Sequence, residues 1–212
     1  MQKYMKGIVW TVIILAAVGG LLRVLLFKTW TLPDDLQLAA SIEPTLHNKD
    51  TVVLLTRGKR GFGELVRCKD PDDPTRYAIG RIVGVEGDLI EIKGRHLYVN
   101  GKAYDPSQAC PEGKYGFLHP NTEAEIELQC GIVEMGGGWH YRGNEKKNIP
   151  PAVFKAEVGV GMVFLLSDNI DFHDDSRDYG TLEASACTEK IIFRLWGEGG
   201  LKDEATRLSY IH

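Results

Sequence analysis

Gly7 to Phe27 is a run of 21 residues whose only charge is Arg23. Such a stretch restricts the chain more than any other feature. About 20 apolar residues is the length a helix needs to cross a bilayer, and inside lipid a single segment has no way other than a helix to satisfy its own backbone. Arg23 would cost roughly 2.5–3.5 kcal/mol at the helix centre, but it stands near one end and can reach the interface. Lys3 and Lys6 precede the run, and Pro33-Asp34-Asp35 follows it. The positive-inside rule then places residues 1–6 in the cytoplasm, 7–27 in the membrane as an anchor and 28–212 outside, although Lys28 weakens the asymmetry. A cleaved signal peptide is the rival, with Ala16-Ala17-Val18-Gly19-Gly20 near a cut. Apolar residues resume at Leu21-Leu22 and from Val24 to Phe27, so the run reads as an anchor.

The remainder is long enough for one domain with a sizeable core. A net charge of −4 gives no nucleic-acid surface, and Arg57-Gly58-Lys59-Arg60 reads as a solvated loop. Cys68, Cys110, Cys130 and Cys187 lack the paired spacing of a zinc site. Outside the cytoplasm Cys110 and Cys130 could close a disulfide, one option within three full pairings. Short apolar or β-branched runs predict strands over 51–56, 64–68, 76–85, 89–92 and 96–99, with an Asn100-Gly101 hairpin returning through 102–104. Pro71-Asp72-Asp73-Pro74 predicts a turn. Residues 105–151 are poor in signals beyond a strand at 126–130, and read as an insertion or subdomain. Gly136-Gly137-Gly138 lacks the Lys-Ser/Thr of a phosphate loop and reads as a turn. Strands at 158–166 and 188–195 complete a mostly-β body.

Two stretches carry the chemistry. Ser41 stands between Ala39-Ala40 and a proline turn, Ile42-Glu43-Pro44-Thr45-Leu46. Much later the chain runs from Ser167 to Gly180 through five aspartates, a histidine and an arginine. A serine in a turn is more often structural than nucleophilic, because serine favours turns generally. The order of parts is what gives the serine meaning: anchor, serine turn, strand-rich body, acidic loop.

In that order the residues resemble the type I (leader) signal peptidases, membrane-anchored serine endopeptidases that cut signal peptides from exported proteins. The family's S-M-x-P-T-L reads here as Ser41-Ile42-Glu43-Pro44-Thr45-Leu46, and its G-D-N-R-D-N-S-x-D-S-R-x-x-G aligns with Ser167 to Gly180. The resemblance implies a signal-peptidase/LexA-like β fold and a bacterial plasma-membrane protein. It implies no cofactor or metal, and signal peptides with small residues at −1 and −3 as substrates. Ser41 would be the nucleophile and, through its own N–H, the oxyanion donor; Ala39 lacks the hydroxyl that many members add. The family's base is a lysine before an arginine in K-R-[VI]-x-G-x-x-G-D. Here that stretch is Gly80-Arg81-Ile82-Val83-Gly84-Val85-Glu86-Gly87-Asp88, with Gly80 at the lysine position. Arg81 cannot replace it, since a guanidinium does not deprotonate.

His173 takes the place of a serine that lies beside that lysine, which makes it the candidate replacement base. Asp171, Asp174 or Asp175 would orient its ring, as in a Ser-His-Asp triad. Asp168, Ser176 and the Asp175–Arg177 ion pair would hold the loop, in which Ile170 and Phe172 replace polar family residues. A peptidase homologue that binds export or surface-assembly clients without cutting them is the alternative. A LexA-type self-cleaving regulator is remoter, given the anchor.

Overall fold

A computed structural model describes the chain except residues 1, 71, 72, 74, 123, 146–151 and 205. Of the expected turn at 71–74, only Asp73 therefore falls within the described residues. Helix α1 (Gln2–Leu26) contains an apolar segment, Ile8–Leu26, with mean hydropathy 2.3 and no residue buried against the body. Apart from Leu26 its leucines, its isoleucines and Trp10 stay exposed, so the described residues leave this apolar surface uncovered. It is long and apolar enough to cross a membrane. At Phe27 the chain turns directly into strand β1 (Phe27–Thr31), earlier than the sequence suggested.

The body is mostly β. Strand β1 pairs with β2 (Thr51–Leu55), and the sheet continues through β14 (Glu189–Trp196), β3 (Leu65–Lys69), β4 (Tyr77–Val85), β12 (Met162–Leu166) and β13 (Leu182–Glu183). A short β15 (Ser209–Tyr210) adds to β14. Strands β5 (Leu89–Lys93), β6 (His96–Val99) and β7 (Lys102–Ala103) form a second sheet with β11 (Val153–Glu157), in the order β11-β5-β6-β7. The Asn100-Gly101 turn is where the sequence places it, with both residues at positive φ. The expected strand at 158–166 is shorter than its apolar run. Gly161 adopts φ +72 and the Met162 N–H bonds Gly159 O, so a tight turn uses up the first residues.

Residues 105–145 are far more regular than their composition suggests. β8 (Gln108–Leu118), β9 (Glu125–Met135) and β10 (Gly138–Glu145) make a separate antiparallel sheet in the order β10-β9-β8. Gly136 and Gly137, at φ +62 and +79, turn β9 into β10. Cys110 and Cys130 are bonded across β8 and β9, and Cys68 and Cys187 are bonded beside β3.

Among the described residues, four apolar clusters hold these layers together. One packs Val83 and Phe164 of the large sheet against Ile90 and Leu97 of the second sheet and Val133 and Met135 of β9. Another seats Leu38 and Ile42 against Val52, Leu54 and Ile79. Full burial of such side chains stabilises by about 1.5–3 kcal/mol each, which fixes the segment carrying Ser41 to the large sheet.

Candidate active site

Ser41 is not in an open turn. It is the penultimate residue of α2 (Leu36–Ile42), whose N-cap Asp35 accepts the Gln37 and Leu38 N–H groups at 3.0 and 3.1 Å. The signal for this helix was an aspartate followed by Leu-Gln-Leu-Ala-Ala, a capping residue before good helix formers. The Ser41 side chain is fully buried, and its hydroxyl donates to Leu38 O at 2.8 Å. Backbone bonds run from Ala39 N–H to Asp35 O and from Glu43 N–H to Ala39 O, so the Ser41 N–H lies inside the same ladder. Both groups that acyl transfer would use are thus engaged by the helix itself.

The two motifs do meet. The Asn169 N–H donates to Ser41 O at 3.0 Å, tying the end of β12 to the end of α2. Asp168 is buried and forms a two-pronged pair with Arg81, Nε to Oδ1 and Nη2 to Oδ2, both at 2.8 Å. Thr45 Oγ1 donates to the same carboxylate at 2.6 Å. Arg81 Nη1 serves Gly63 O and His212 O, both at 2.7 Å. This arginine is a scaffold bolt linking β4, the acidic loop and the segment after β15.

Gly80 has no open space above it. A Cβ there would lie 3.0 Å from Leu165 Cβ and 3.4 Å from Leu166 O, so the missing side chain allows β12 to pack closely over β4. His173 is a third exposed, and its Nδ1 stands 2.7 Å from Asp178 Oδ2. Ser41 and His173 share no hydrogen bond, since each is engaged elsewhere.

The aspartate that meets the ring is none of those the sequence singled out. Asp171 is held by Arg95 at 2.7 Å and by the Glu145 N–H at 2.7 Å. Asp175 caps α3 (Ser176–Tyr179), accepts the Ser167 N–H at 2.8 Å and pairs with Arg177 at 2.7 Å. Asp174 is held above the usual carboxylate range by burial first and by the nearby Asp178 charge. Ser176 is buried and accepts the Leu165 N–H at 2.9 Å. Asp178 was missed because the single turn of α3 folds it back toward His173, five residues earlier. Ligand atoms of His173, Asp175 and Asp178 lie within 4.8 Å of one another. Arg177 already neutralises Asp175, so the set holds a ring in place and is poor as a cation site.

The other histidines divide by burial. His140 is buried, 3.8 Å from Asp168, and kept neutral by burial and then by the Arg81 and Arg142 charges. Its place in the supposed loose insertion is in fact a packed strand. His47 lies among polar side chains. It contacts Glu43 at 3.3 Å and Asp50 at 3.7 Å and lines a cavity of about 480 Å³ with Pro44, Thr45, Tyr115, His140 and Arg194. Ser41 does not line that cavity. Glu43 is nearly buried, and desolvation pushes its carboxyl up to about 7 against the pull of His47.

The family pattern described as signal peptidase, peptidase S26, matches residues 4–196. The chain belongs to the signal peptidase S26 family. Among its relatives, signal peptidase IB of Staphylococcus aureus (strain Mu50) is 27% identical over 162 residues, covering 74% of this chain and 73% of the relative. Signal peptidase I of Bacillus caldolyticus is 25% identical over 199 residues, covering 92% of this chain and 93% of the relative. The mostly-β body and N-terminal apolar helix are those of an S26 protein, and family membership makes this chain a peptidase homologue of the signal-peptide-processing kind.

Proposed function

We propose that this S26 protein is a membrane-anchored serine endopeptidase that cuts signal peptides from exported preproteins, with Ser41 as nucleophile and His173 as the replacement base. One observation carries the reading: the acidic loop docks on the serine itself, Asn169 N–H to Ser41 O, as the family order requires. The His173–Asp178 contact adds the second half of a catalytic relay. With its Nδ1–H on a carboxylate, the ring presents a basic Nε2. Ser41 Oγ would attack the scissile carbonyl while Nε2 takes its proton. The same proton then passes to the leaving amine, and water releases the acyl group. Proton transfer needs a reach of roughly 3 Å, so the hydroxyl has to leave Leu38 O before it can react.

The substrate would add as an extended strand with shallow pockets for small side chains. In this reading the helix Ile8–Leu26 is the anchor, and the positive-inside rule applied to Lys3 and Lys6 favours a cytoplasmic N-terminus. Two disulfides support a body on the oxidising, extracytoplasmic side of a bacterial plasma membrane.

A second reading is a client-binding homologue that does not cut. The buried Ser41 hydroxyl and the closed space over Gly80 favour it. Preprotein cleavage by wild type, Ser41→Ala and His173→Ala separates the two. The peptidase reading expects loss of cleavage in both variants. Full cleavage by His173→Ala removes that base, and an inert wild type leaves the binding reading.

A further inference from the structure

The cluster Arg57-Gly58-Lys59-Arg60, which the sequence presents as a solvated loop, is tied to the end of the apolar helix. The Thr56 N–H donates to Leu26 O at 2.8 Å, the Thr56 hydroxyl reaches the same oxygen at 3.2 Å, and Arg57 Nε stands 3.4 Å from Leu25 O. These carbonyls belong to the last turn of α1, where a helix leaves its acceptors without internal partners. The sheet continues the attachment, since Phe27 of β1 is the register partner of Leu55 of β2. Arg60 closes the loop onto the sheet by donating to Leu55 O at 2.6 Å and to Thr188 O at 2.7 Å.

This attachment fixes depth. The apolar segment Ile8–Leu26 has 19 residues. At 1.5 Å per residue it is about 28 Å long, against a hydrocarbon core of about 30 Å. With that segment across a bilayer, Leu25 and Leu26 stand at the edge of the hydrocarbon, and the loop bonded to them lies among the lipid phosphates. Lys28, two residues beyond the helix, lies in the same layer, and Arg23 in the last turn reaches it along its stem. Arg23, Lys28, Arg57 and Lys59 are all exposed.

The charge gathered there is not neutralised from within. Glu189 is held by Arg67 Nε at 2.7 Å and by Lys28 at 3.3 Å, and Glu64 by Lys190 at 2.8 Å. Among the described residues, no ion pair takes up Arg23, Arg57, Lys59 or Arg60. Asp70 and Asp73, in the turn between β3 and β4, lie at least two strands across the sheet from β2. That is roughly 10 Å or more, where salt screening weakens their effect.

We propose that Arg23, Lys28, Arg57, Lys59 and Arg60 form a collar that binds the headgroups of anionic phospholipids and seats the body on the membrane surface. A zwitterionic headgroup brings an ammonium beside its phosphate, which the collar repels, so charge selects the anionic lipid. The proposal rests on the anchor reading given under Proposed function and is independent of catalysis. A cation held at an anionic lipid surface changes affinity roughly fivefold, so a pair of them is measurable.

Native mass spectrometry of the full-length protein tests this, with the protein released from mixed micelles holding equal amounts of phosphatidylglycerol and phosphatidylcholine. Wild type is expected to retain phosphatidylglycerol over phosphatidylcholine by at least about tenfold, and Arg57→Gln/Lys59→Gln to lose most of that preference. Arg60 is left in place because its bonds to Leu55 and Thr188 hold the loop. Lys102→Gln/Lys155→Gln, the same charge change on the second sheet, should keep the wild-type preference. Equal retention of the two lipids by wild type, or a preference unchanged in Arg57→Gln/Lys59→Gln, overturns the collar. Displacement of the lipid by soluble glycerol phosphate at the same concentration also overturns it, since the site would then be one for free phosphate. Alkaline extraction of reconstituted vesicles separates the two readings. Release of the protein by alkali overturns the anchor and the collar with it, whereas retention without lipid preference overturns the collar alone.

Discussion

At the scale of single residues, polar groups beside Ser41 set how stability responds to pH. Glu43, two positions on, is desolvated and rises to about 7 from an ordinary 4.5. The folded state therefore keeps a proton that the unfolded chain has already released. Stability should fall as pH rises from about 4.5 to 7 and level off above that, by an amount on the order of 3 kcal/mol. Urea melts across this window should show the slope in wild type and a flatter line in Glu43→Gln. Gly80 governs stability by packing instead. Because Leu165 Cβ would sit 3.0 Å from a new Cβ, Gly80→Ala should cost about 1–3 kcal/mol by overpacking, measured by the same melts. Gly80→Lys should be destabilised in the same sense and gain no activity. The sequence showed that Gly80 could not supply a base. It could not show that a neighbouring strand had closed on the position, because that depends on how β12 registers with β4.

Among elements, the acidic loop was the most legible. The Asp175–Arg177 pair stands where the motif placed it, and Asp175 also caps α3 and bonds the Ser167 N–H. Arg177 and the backbone N–H groups hold its carboxyl below the ordinary range despite the opposing desolvation. The resulting stability is present at neutral pH and is lost as pH falls below the ordinary carboxylate range, toward its folded value. Arg177→Ala leaves a buried carboxylate unpaired and should cost about 3–5 kcal/mol at pH 7, read from chemical denaturation. Strands β2 to β6 were readable because their apolar runs are bounded by turn residues. β8 and β10 were not. They carry glycine, proline and charge, which mask the alternation of a strand, and each pairs with β9. α2 went unread for the opposite reason: its cap and helix formers were in view, but the proline after Ser41 drew attention to a turn.

For the molecule as a whole, the body is stapled twice. Cys68–Cys187 spans a separation of 119 residues and Cys110–Cys130 one of 20. In the chain-entropy account the longer loop stabilises more, about 4–5 kcal/mol against about 3. Thermal melts of the two paired Cys→Ser variants should therefore show the larger loss for Cys68/Cys187. The Cys110/Cys130 variant should mainly loosen β8 from β9. The N-terminal apolar helix, the mostly-β body and the meeting of the two motifs were all legible in the sequence. The closure of a third sheet over the serine was not, since it arises only when Ile170 and Phe172 find β8 and β9. The account as a whole depends on Ser41 attacking a client. Mass mapping of the protein quenched in acid during preprotein turnover tests this directly. It predicts a peptide containing Ser41 that carries the acyl signal-peptide fragment, absent in Ser41→Ala; turnover without that adduct, undiminished in Ser41→Ala, would contradict it.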